Sequence, residues 1–169
     1  MARNVEIKAR VADPARTRRL VAAAADGPAA SLAQTDTFFR VPRGRLKLRE
    51  VAGAAAELIW YERPDTPEPA ESAYEVVRLA DGPALRELLA RALGPCGQVV
   101  KRRLVYHVGR TRVHLDEVAG LGHFLELEVQ LAAGEPVEAG AAEARALMER
   151  LAIGAASLVA EAYVDLLSR

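Results

Sequence analysis

The sequence predicts an α+β fold built on an antiparallel sheet of about eight strands with four helices. Eight segments alternate polar and apolar residues with the period of two expected of strands. Short turns join most of them into hairpins, which favours an antiparallel sheet over parallel βαβ units. The helical segments carry their apolar residues as one stripe. No linker or repeat divides the 169 residues, so we expect a single domain over 1–169.

The first half of the chain contributes one predicted helix and most of the strands. The strand at 4–11 places charged residues on one side and apolar residues on the other. Asp13 and Pro14 then supply an N-cap and a first-turn proline for a helix that runs to about Ala25. The next strands are predicted at 33–42, 45–51, 56–63 and 73–79, with a proline-rich loop at 64–70.

The second half of the chain is predicted to contain three strands between helices. A helix at 83–93 ends at Gly94 and Pro95. The chain then ends in two helices separated by Gly154, the second with its apolar stripe over 158–166. The strands between them are predicted at 97–108, 110–117 and 123–131.

The composition excludes several classes of function. Lys plus Arg and Asp plus Glu both number 23, so net charge gives no reason to expect nucleic acid or an acidic membrane as a partner. No stretch approaches the ~20 apolar residues of a spanning helix, and the N-terminus lacks the apolar run of a signal peptide. We therefore expect a cytoplasmic protein. The single cysteine, Cys96, excludes an intramolecular disulfide.

Several strands carry faces that are almost wholly ionic. Cations dominate one face of 45–49 and of 101–103, and carboxylates dominate that of 126–128. Such faces usually meet water on the open side of an antiparallel sheet. Here the signs segregate and uncharged polar residues are few, which favours an enclosed interior with a basic wall and an acidic patch. A polyphosphate with Mg²⁺ or Mn²⁺ would satisfy both signs, because Arg and Lys bind phosphate and carboxylates bind the metal.

The motifs resemble those of one known group of proteins. The opening NVEIKARV resembles the Glu-x-Glu-x-Lys signature of the CYTH superfamily, which contains class IV adenylate cyclases, thiamine triphosphatases and inorganic triphosphatases. The matching segments that follow in the expected order are QTDTFFRV, GRLKLRE, ELIWYERPD, VVKRRLVYHVGRTRVHLDEV and GLGHFLELEV. The resemblance spans nearly the whole chain. It implies a closed eight-stranded antiparallel β-barrel, the triphosphate tunnel, with helices packed outside.

The resemblance also implies roles for the charged residues that face the tunnel. Lys8, Arg112 and Asp116 are expected to act in catalysis, and the protein is expected to be a monomer or a homodimer. The residues expected to hold Mg²⁺ or Mn²⁺ are Glu6, Asp116, Glu126 and Glu128. Those expected to bind the phosphates of ATP, thiamine triphosphate or tripolyphosphate are Lys8, Arg10, Lys47, Arg49, Arg63, Lys101, Arg103 and Arg112.

Two positions depart from the pattern of this superfamily. Asn4 stands where the signature has its first Glu. An amide oxygen can ligate a metal but brings no charge, so one metal position differs from the usual one. Glu62 and Arg63 stand where a tunnel Lys is expected, and Arg63 is the candidate replacement.

Three functions share this cradle of charges. In a class IV adenylate cyclase, the ribose 3′-hydroxyl attacks the α-phosphorus of ATP and pyrophosphate leaves. In a triphosphatase, water attacks the terminal phosphorus and orthophosphate leaves. The lack of an appended helical phosphate-binding module favours the cyclase, whereas Asn4 favours a third alternative, a tunnel that binds nucleotide or polyphosphate without turnover.

A few residues have two open interpretations. His114 shares a face with Arg112, so it either lines the tunnel or serves a structural role. Asp36 either enters the tunnel or forms a structural ion pair. Trp60 and Tyr61 point to opposite sides of one strand, so one belongs to the core and the other can contact a ring of the ligand.

Overall fold

A computed structural model describes all 169 residues and shows eight antiparallel strands that close into a barrel. Their order around the barrel is β1-β5-β4-β3-β2-β6-β7-β8, and β8 pairs with β1 to close it. The predicted fold class and the number of strands are confirmed. The strands are β1 (Ala2–Arg10), β2 (Ala30–Phe39), β3 (Arg45–Val51), β4 (Ala56–Glu62), β5 (Ala70–Leu79), β6 (Pro95–Val108), β7 (Thr111–Val118) and β8 (Gly122–Gln130).

Four α-helices and one 3₁₀ turn lie outside the strands. Asp13 caps the first helix as predicted, because its Oδ1 atom accepts a hydrogen bond of 2.9 Å from the Arg16 N–H. Gly94 caps the C-terminal end of the second helix, and its φ of 75° favours glycine. None of these helices combines the length and the apolar character that a membrane span requires. The helices are α1 (Pro14–Ala24), α2 (Gly82–Leu93), α3 (Val137–Arg150) and α4 (Tyr163–Leu167), and the 3₁₀ turn is Ala155–Ser157.

The largest apolar core lies between the outer face of the barrel and its helices. Ile7 of β1 is buried there with Val21 of α1 and Leu147 of α3. The residues that alternate with Ile7 on β1, Glu6 and Lys8, face the inside of the barrel instead. Because the helices bury the outer face, the inner face does not have to be apolar and can carry charged side chains.

The last segment of the chain differs from the predicted structure. The apolar stripe predicts a helix over 158–166, but residues 158–162 are not helical and only α4 is. β5 pairs with β1 only as far as Glu6, which leaves the next residues of β1 without a strand on that side. Leu158 forms a β-bridge with Ala9 there, and the Val159 N–H donates to the Lys8 carbonyl at 2.9 Å. Pairing of this free edge therefore outweighs the local preference for helix.

Candidate active site inside the barrel

The barrel encloses a cavity of about 940 Å³. Its wall contains nine Lys or Arg and six Asp or Glu residues. Asp116 does not line the cavity but contacts two of these cations. Cations still outnumber carboxylates when Asp116 is counted with the wall. The interior therefore favours an anionic ligand. The lining cations are Lys8, Arg45, Lys47, Arg49, Arg63, Arg78, Lys101, Arg103 and Arg112.

One end of the cavity is closed by the C-terminal segment. The ring of Tyr163 lies there, and its centre is 4.2 Å from Lys8 Nζ and 5.0 Å from Lys101 Nζ. Lys8 Nζ also donates to the carbonyl oxygen of Glu161 at 2.9 Å. Lysines of the cavity wall thus hold the segment that closes this end.

The opposite end of the cavity is open to solvent, and aliphatic side chains lie there beside the ion pair of Arg78 and Glu57. It is bordered by the turn between β3 and β4 and by aliphatic side chains, and one of these, Val76, is 42% exposed. A ring or an aliphatic group fits such a mouth better than a charged group does. The aliphatic residues of this mouth are Leu32, Val51, Val76 and Val105.

Part of the basic wall is organised around Asp36 of β2. Its carboxylate accepts hydrogen bonds of 2.8 and 2.9 Å from the Arg49 guanidinium, and Lys47 Nζ lies 2.9 Å away. Burial alone would raise the pKa of Asp36, but Lys47 and Arg49 outweigh it and hold this pKa well below its usual value. Burial lowers the pKa of Lys47 to about 8, although Asp36 opposes the change. Asp36 thus fixes the direction of both cations.

A second buried carboxylate, Asp116 of β7, orients the cations of β6. Arg103 donates two hydrogen bonds of 2.6 Å to it, and Lys101 Nζ and the Tyr163 hydroxyl each donate one of 3.1 Å. Burial would raise the pKa of Asp116, but Arg103 and Lys101 lower it to about 2. These three groups occupy its oxygens, and Asp116 does not line the cavity.

The acidic patch consists of Glu126 and Glu128 on β8 together with Glu6 on β1. The antiparallel register places Glu128 beside Glu6 and Glu126 beside Lys8. Arg103 Nη2 lies 2.5 Å from Glu126, and Arg112 Nη2 lies 2.7 Å from Glu128. Burial and the adjacent Glu128 raise the pKa of Glu6 to about 7. Arg103 outweighs burial at Glu126 and, together with Arg112, at Glu128, and holds the pKa of both below its usual value, so Glu6 is the carboxylate of the patch whose charge is least compensated.

The donor atoms of this patch fit a divalent cation. His114 and the two glutamates of β8 each offer a ligand atom, and these atoms lie within 4.8 Å of one another. The Oδ1 atom of Asn4 is buried and has no hydrogen-bond partner. Carboxylate and amide oxygens are the ligands that Mg²⁺ prefers in proteins. The donor set therefore fits the Mg²⁺ or Mn²⁺ that the resemblance implies.

Most of the residues that the sequence assigned to the site meet in this cavity. Asp116 does not line it, as described above, and Arg10 is exposed with its guanidinium carbon 5.0 Å from the centre of the Phe124 ring. These two residues lie beyond the cavity at the closed end of their strands. The assigned residues that line it are Glu6, Lys8, Lys47, Arg49, Arg63, Lys101, Arg103, Arg112, Glu126 and Glu128.

The structure also resolves the open interpretations. His114 and Tyr61 line the cavity, whereas Trp60 faces outward and its Nε1–H donates to the Arg43 carbonyl at 3.1 Å. Asp36 lines the cavity and also forms ion pairs with Lys47 and Arg49, so both interpretations of this residue are correct.

Two lining cations, Arg45 and Arg78, were not assigned to the site from the sequence. Arg45 bridges Asp65 and Asp165 at 2.9 and 2.8 Å. Arg45 lies two residues before Lys47 on β3, so the alternation of side chains along a strand could have predicted that both face the cavity. Arg78 lies near the mouth, where it pairs with Glu57 at 3.3 Å.

The closed barrel with an ion-lined interior is a triphosphate tunnel fold, and solved structures share it. The PH1012 protein of Pyrococcus horikoshii OT3 is 22% identical, with a TM-score of 0.86 over 96% of this chain and 98% of that one. A proposed adenylate cyclase of Vibrio parahaemolyticus is 20% identical, with a TM-score of 0.79 over 98% of each chain. A proposed adenylyl cyclase of Hippeastrum with a dominant triphosphatase activity is 18% identical, with a TM-score of 0.67 over 98% and 95%.

Residues 2–163, nearly the whole chain, match the CYTH domain. This chain therefore belongs to the CYTH domain family. No protein of curated function matches the sequence.

Proposed function

We propose that this protein is a divalent-metal-dependent enzyme that converts ATP to cyclic AMP and pyrophosphate, in the manner of a class IV adenylate cyclase. The observation that carries the proposal is the order of groups along the cavity. Lysines lie at the closed end, the acidic patch lies next to them towards the mouth, and aliphatic residues border the mouth. This order matches the sequence of terminal phosphates, α-phosphate and nucleoside in ATP.

The strand register supports this order. Glu126 lies opposite Lys8, and Glu128 lies two residues nearer the mouth, opposite Arg112. A triphosphate whose terminal phosphate reaches Lys8 and Lys101 at the closed end extends towards the mouth past Glu128. Its α-phosphate then lies beside the acidic patch. This placement suits attack at the α-phosphorus better than attack at the terminal one.

The chain's own cations would supply most of the binding and charge stabilisation. Lys47, Lys101 and Arg49 would hold the β- and γ-phosphates, which form the leaving pyrophosphate. Arg103 and Arg112 would stabilise the charge that develops on the α-phosphate oxygens. When bound to the acidic patch, the divalent ion supplies Lewis-acid polarisation of a phosphoryl oxygen. We assign Glu6, Glu126 and Glu128 to hold it.

The buried carboxylates outside the patch have a positioning role in this proposal. Asp36 fixes Lys47 and Arg49, and Asp116 fixes Lys101 and Arg103, before the substrate arrives. Such preorganisation reduces the cost of ordering long side chains on binding. We therefore propose that Asp116 acts through the cations it holds and is not a metal ligand.

The second candidate is a triphosphatase, which the dominant activity of the Hippeastrum protein favours. The same cradle could direct water to the terminal phosphorus, with release of orthophosphate. The two reactions differ in the phosphorus that is attacked and therefore in their products.

The deciding experiment is product analysis with the purified protein and Mg²⁺ or Mn²⁺. ATP, thiamine triphosphate and tripolyphosphate are supplied in turn, and the products are separated by ion exchange and assayed for phosphate. Cyclic AMP with pyrophosphate is the expected result. Orthophosphate would overturn it in favour of a triphosphatase. Tight binding without any product would indicate a binding module, and turnover gained by Asn4→Glu would then identify Asn4 as the cause.

Two variants test the roles of the site residues. Glu126→Gln should abolish metal-dependent turnover while nucleotide still binds, because it removes one carboxylate of the patch. Arg103→Ala should lower turnover by about 10²-fold or more, the usual effect of losing a group that stabilises the transition state. Arg102→Ala is the matched control, since Arg102 is the exposed neighbour on the outer face of β6. Wild-type turnover in Glu126→Gln would refute the metal assignment.

A further inference from the structure

His114 of β7 lies within the acidic patch, where no hydrogen bond accounts for it. Its side chain is only 5% exposed, and its Nδ1 atom is buried without a hydrogen-bond partner. Glu128 Oε1 is 3.5 Å and Glu126 Oε2 is 3.7 Å from this nitrogen, which exceeds the 2.7–3.2 Å of ordinary N–H···O hydrogen bonds. A buried ring nitrogen that directs no hydrogen bond to two adjacent carboxylates calls for another partner.

We propose that His114 is a direct metal ligand and that it makes the site prefer a first-row transition-metal dication, such as Mn²⁺ or Co²⁺, over Mg²⁺. This inference rests on the proposed function only in that a divalent ion binds to the acidic patch. What is new is that His114 supplies a nitrogen ligand and that this ligand determines which class of metal the site prefers.

The distances suit an ion between these three groups. Bonds of about 2.0–2.2 Å from a metal to nitrogen and oxygen place neighbouring ligands about 3.0–3.6 Å apart. The two distances from His114 Nδ1 are 3.5 and 3.7 Å, so small side-chain rotations would complete such a site. The imidazole therefore lies close enough to both carboxylates to share one ion with them after such rotations.

The chemistry of the donors supports selection between metals. Mg²⁺ takes hard oxygen ligands and loses its water shell reluctantly, whereas imidazole nitrogen suits transition metals. Asn4 in place of a carboxylate also removes one negative charge from the patch. A site with fewer carboxylates depends less on electrostatic attraction alone, so the neutral nitrogen donor gains weight in the choice of metal.

The test uses the full-length apoprotein with Mn²⁺ alone and no nucleotide. Electron spin-echo envelope modulation of bound Mn²⁺ should show coupling to a directly ligated nitrogen, and ¹⁵N-histidine labelling should change it. In calorimetry, His114→Asn should weaken Mn²⁺ binding by about tenfold or more and change Mg²⁺ binding by less than about twofold. His123→Asn is the matched control, because His123 is exposed on the outer face of the adjacent strand β8.

The outcomes separate this inference from the proposed function. Absence of nitrogen coupling in wild-type protein that binds Mn²⁺ would overturn the inference and leave cyclase activity untouched, and this measurement needs no variant that must fold. Equal losses for Mn²⁺ and Mg²⁺ in His114→Asn would overturn the selectivity. Nitrogen coupling in a protein that yields no cyclic AMP would support the inference and refute the function.

Discussion

The buried carboxylate of Asp116 offers a direct test of how the cavity is held together. The substitution Asp116→Asn keeps the size of the side chain and removes its charge. Lys101 and Arg103 then lose the anion that accepts three of their hydrogen bonds, in a place where water does not replace it. We expect a large loss of stability in the ligand-free protein.

The size of this loss can be worked out in two ways. The pKa of Asp116 is about 2 in place of 3.8, and each pKa unit corresponds to ~1.4 kcal/mol, which gives about 2 kcal/mol. Removing one partner of a buried ion pair costs about 3–5 kcal/mol in general. A loss of about 2–5 kcal/mol lowers the Tm of a chain of this length by on the order of 10 °C.

Urea unfolding at pH 7 and thermal unfolding measure this loss. The matched control is Glu117→Gln, because Glu117 is the exposed neighbour on the outer face of β7. Tripolyphosphate should stabilise Asp116→Asn more than the wild type, since the variant has more uncompensated positive charge. In the wild type, the pKa of Asp116 is lower in the folded state than in the unfolded state. The contribution of its carboxylate to the free energy of unfolding is therefore complete above about pH 4 and is lost as the pH falls towards 2. Equal stability of the two variants would refute the reasoning.

Two further predictions concern the basic wall and the closed end. Because burial lowers the pKa of Lys47 to about 8, tripolyphosphate should bind up to about tenfold more weakly at pH 9 than at pH 7 by calorimetry, and Lys47→Arg should reduce this difference; equal affinities in the wild type would contradict it. A Cβ atom on Gly97 would lie 2.4 Å from Val164 Cγ2, so Gly97→Ala should displace α4 and lower the Tm by several degrees. Gly27→Ala is the control and should leave the Tm unchanged, because a Cβ atom there would have no neighbour within 4 Å. Equal Tm values for Gly97→Ala and Gly27→Ala would contradict the contact between Gly97 and Val164.

The alternation of residues was sufficient to predict the strands and their two faces, whereas the closure of the barrel was expected from the resemblance to the CYTH superfamily. Strands such as β1 and β3 carry strict period-two patterns, and the charged residues of those faces line the cavity in the structure, except for Arg10 at the end of β1. The C-terminal segment was predicted wrongly, because its apolar stripe is compatible with a helix. The free edge of β1 beyond Glu6 exists only once the barrel has closed, so no local pattern could reveal it.

Within the site, the sequence predicted which face a residue occupies but not its position along the barrel. Asp116 and His114 share a parity on β7, yet only His114 lines the cavity. The difference arises from Arg103 and Tyr163, which reach Asp116 from elements distant in sequence. Arg10 likewise shares the parity of Lys8 but lies past the cavity, against Phe124. Such distinctions depend on the shear between strands and on the C-terminal segment.

The C-terminal segment makes the two ends of the cavity unlike each other. Lys8, Lys101 and Tyr163 lie at the end that it covers, whereas solvent reaches the mouth at the other end. Under the proposed function, a substrate that enters the mouth with its phosphates first would leave pyrophosphate deeper in the cavity than the nucleoside product. The nucleoside product would then be released first, and pyrophosphate would compete directly with the next molecule of substrate.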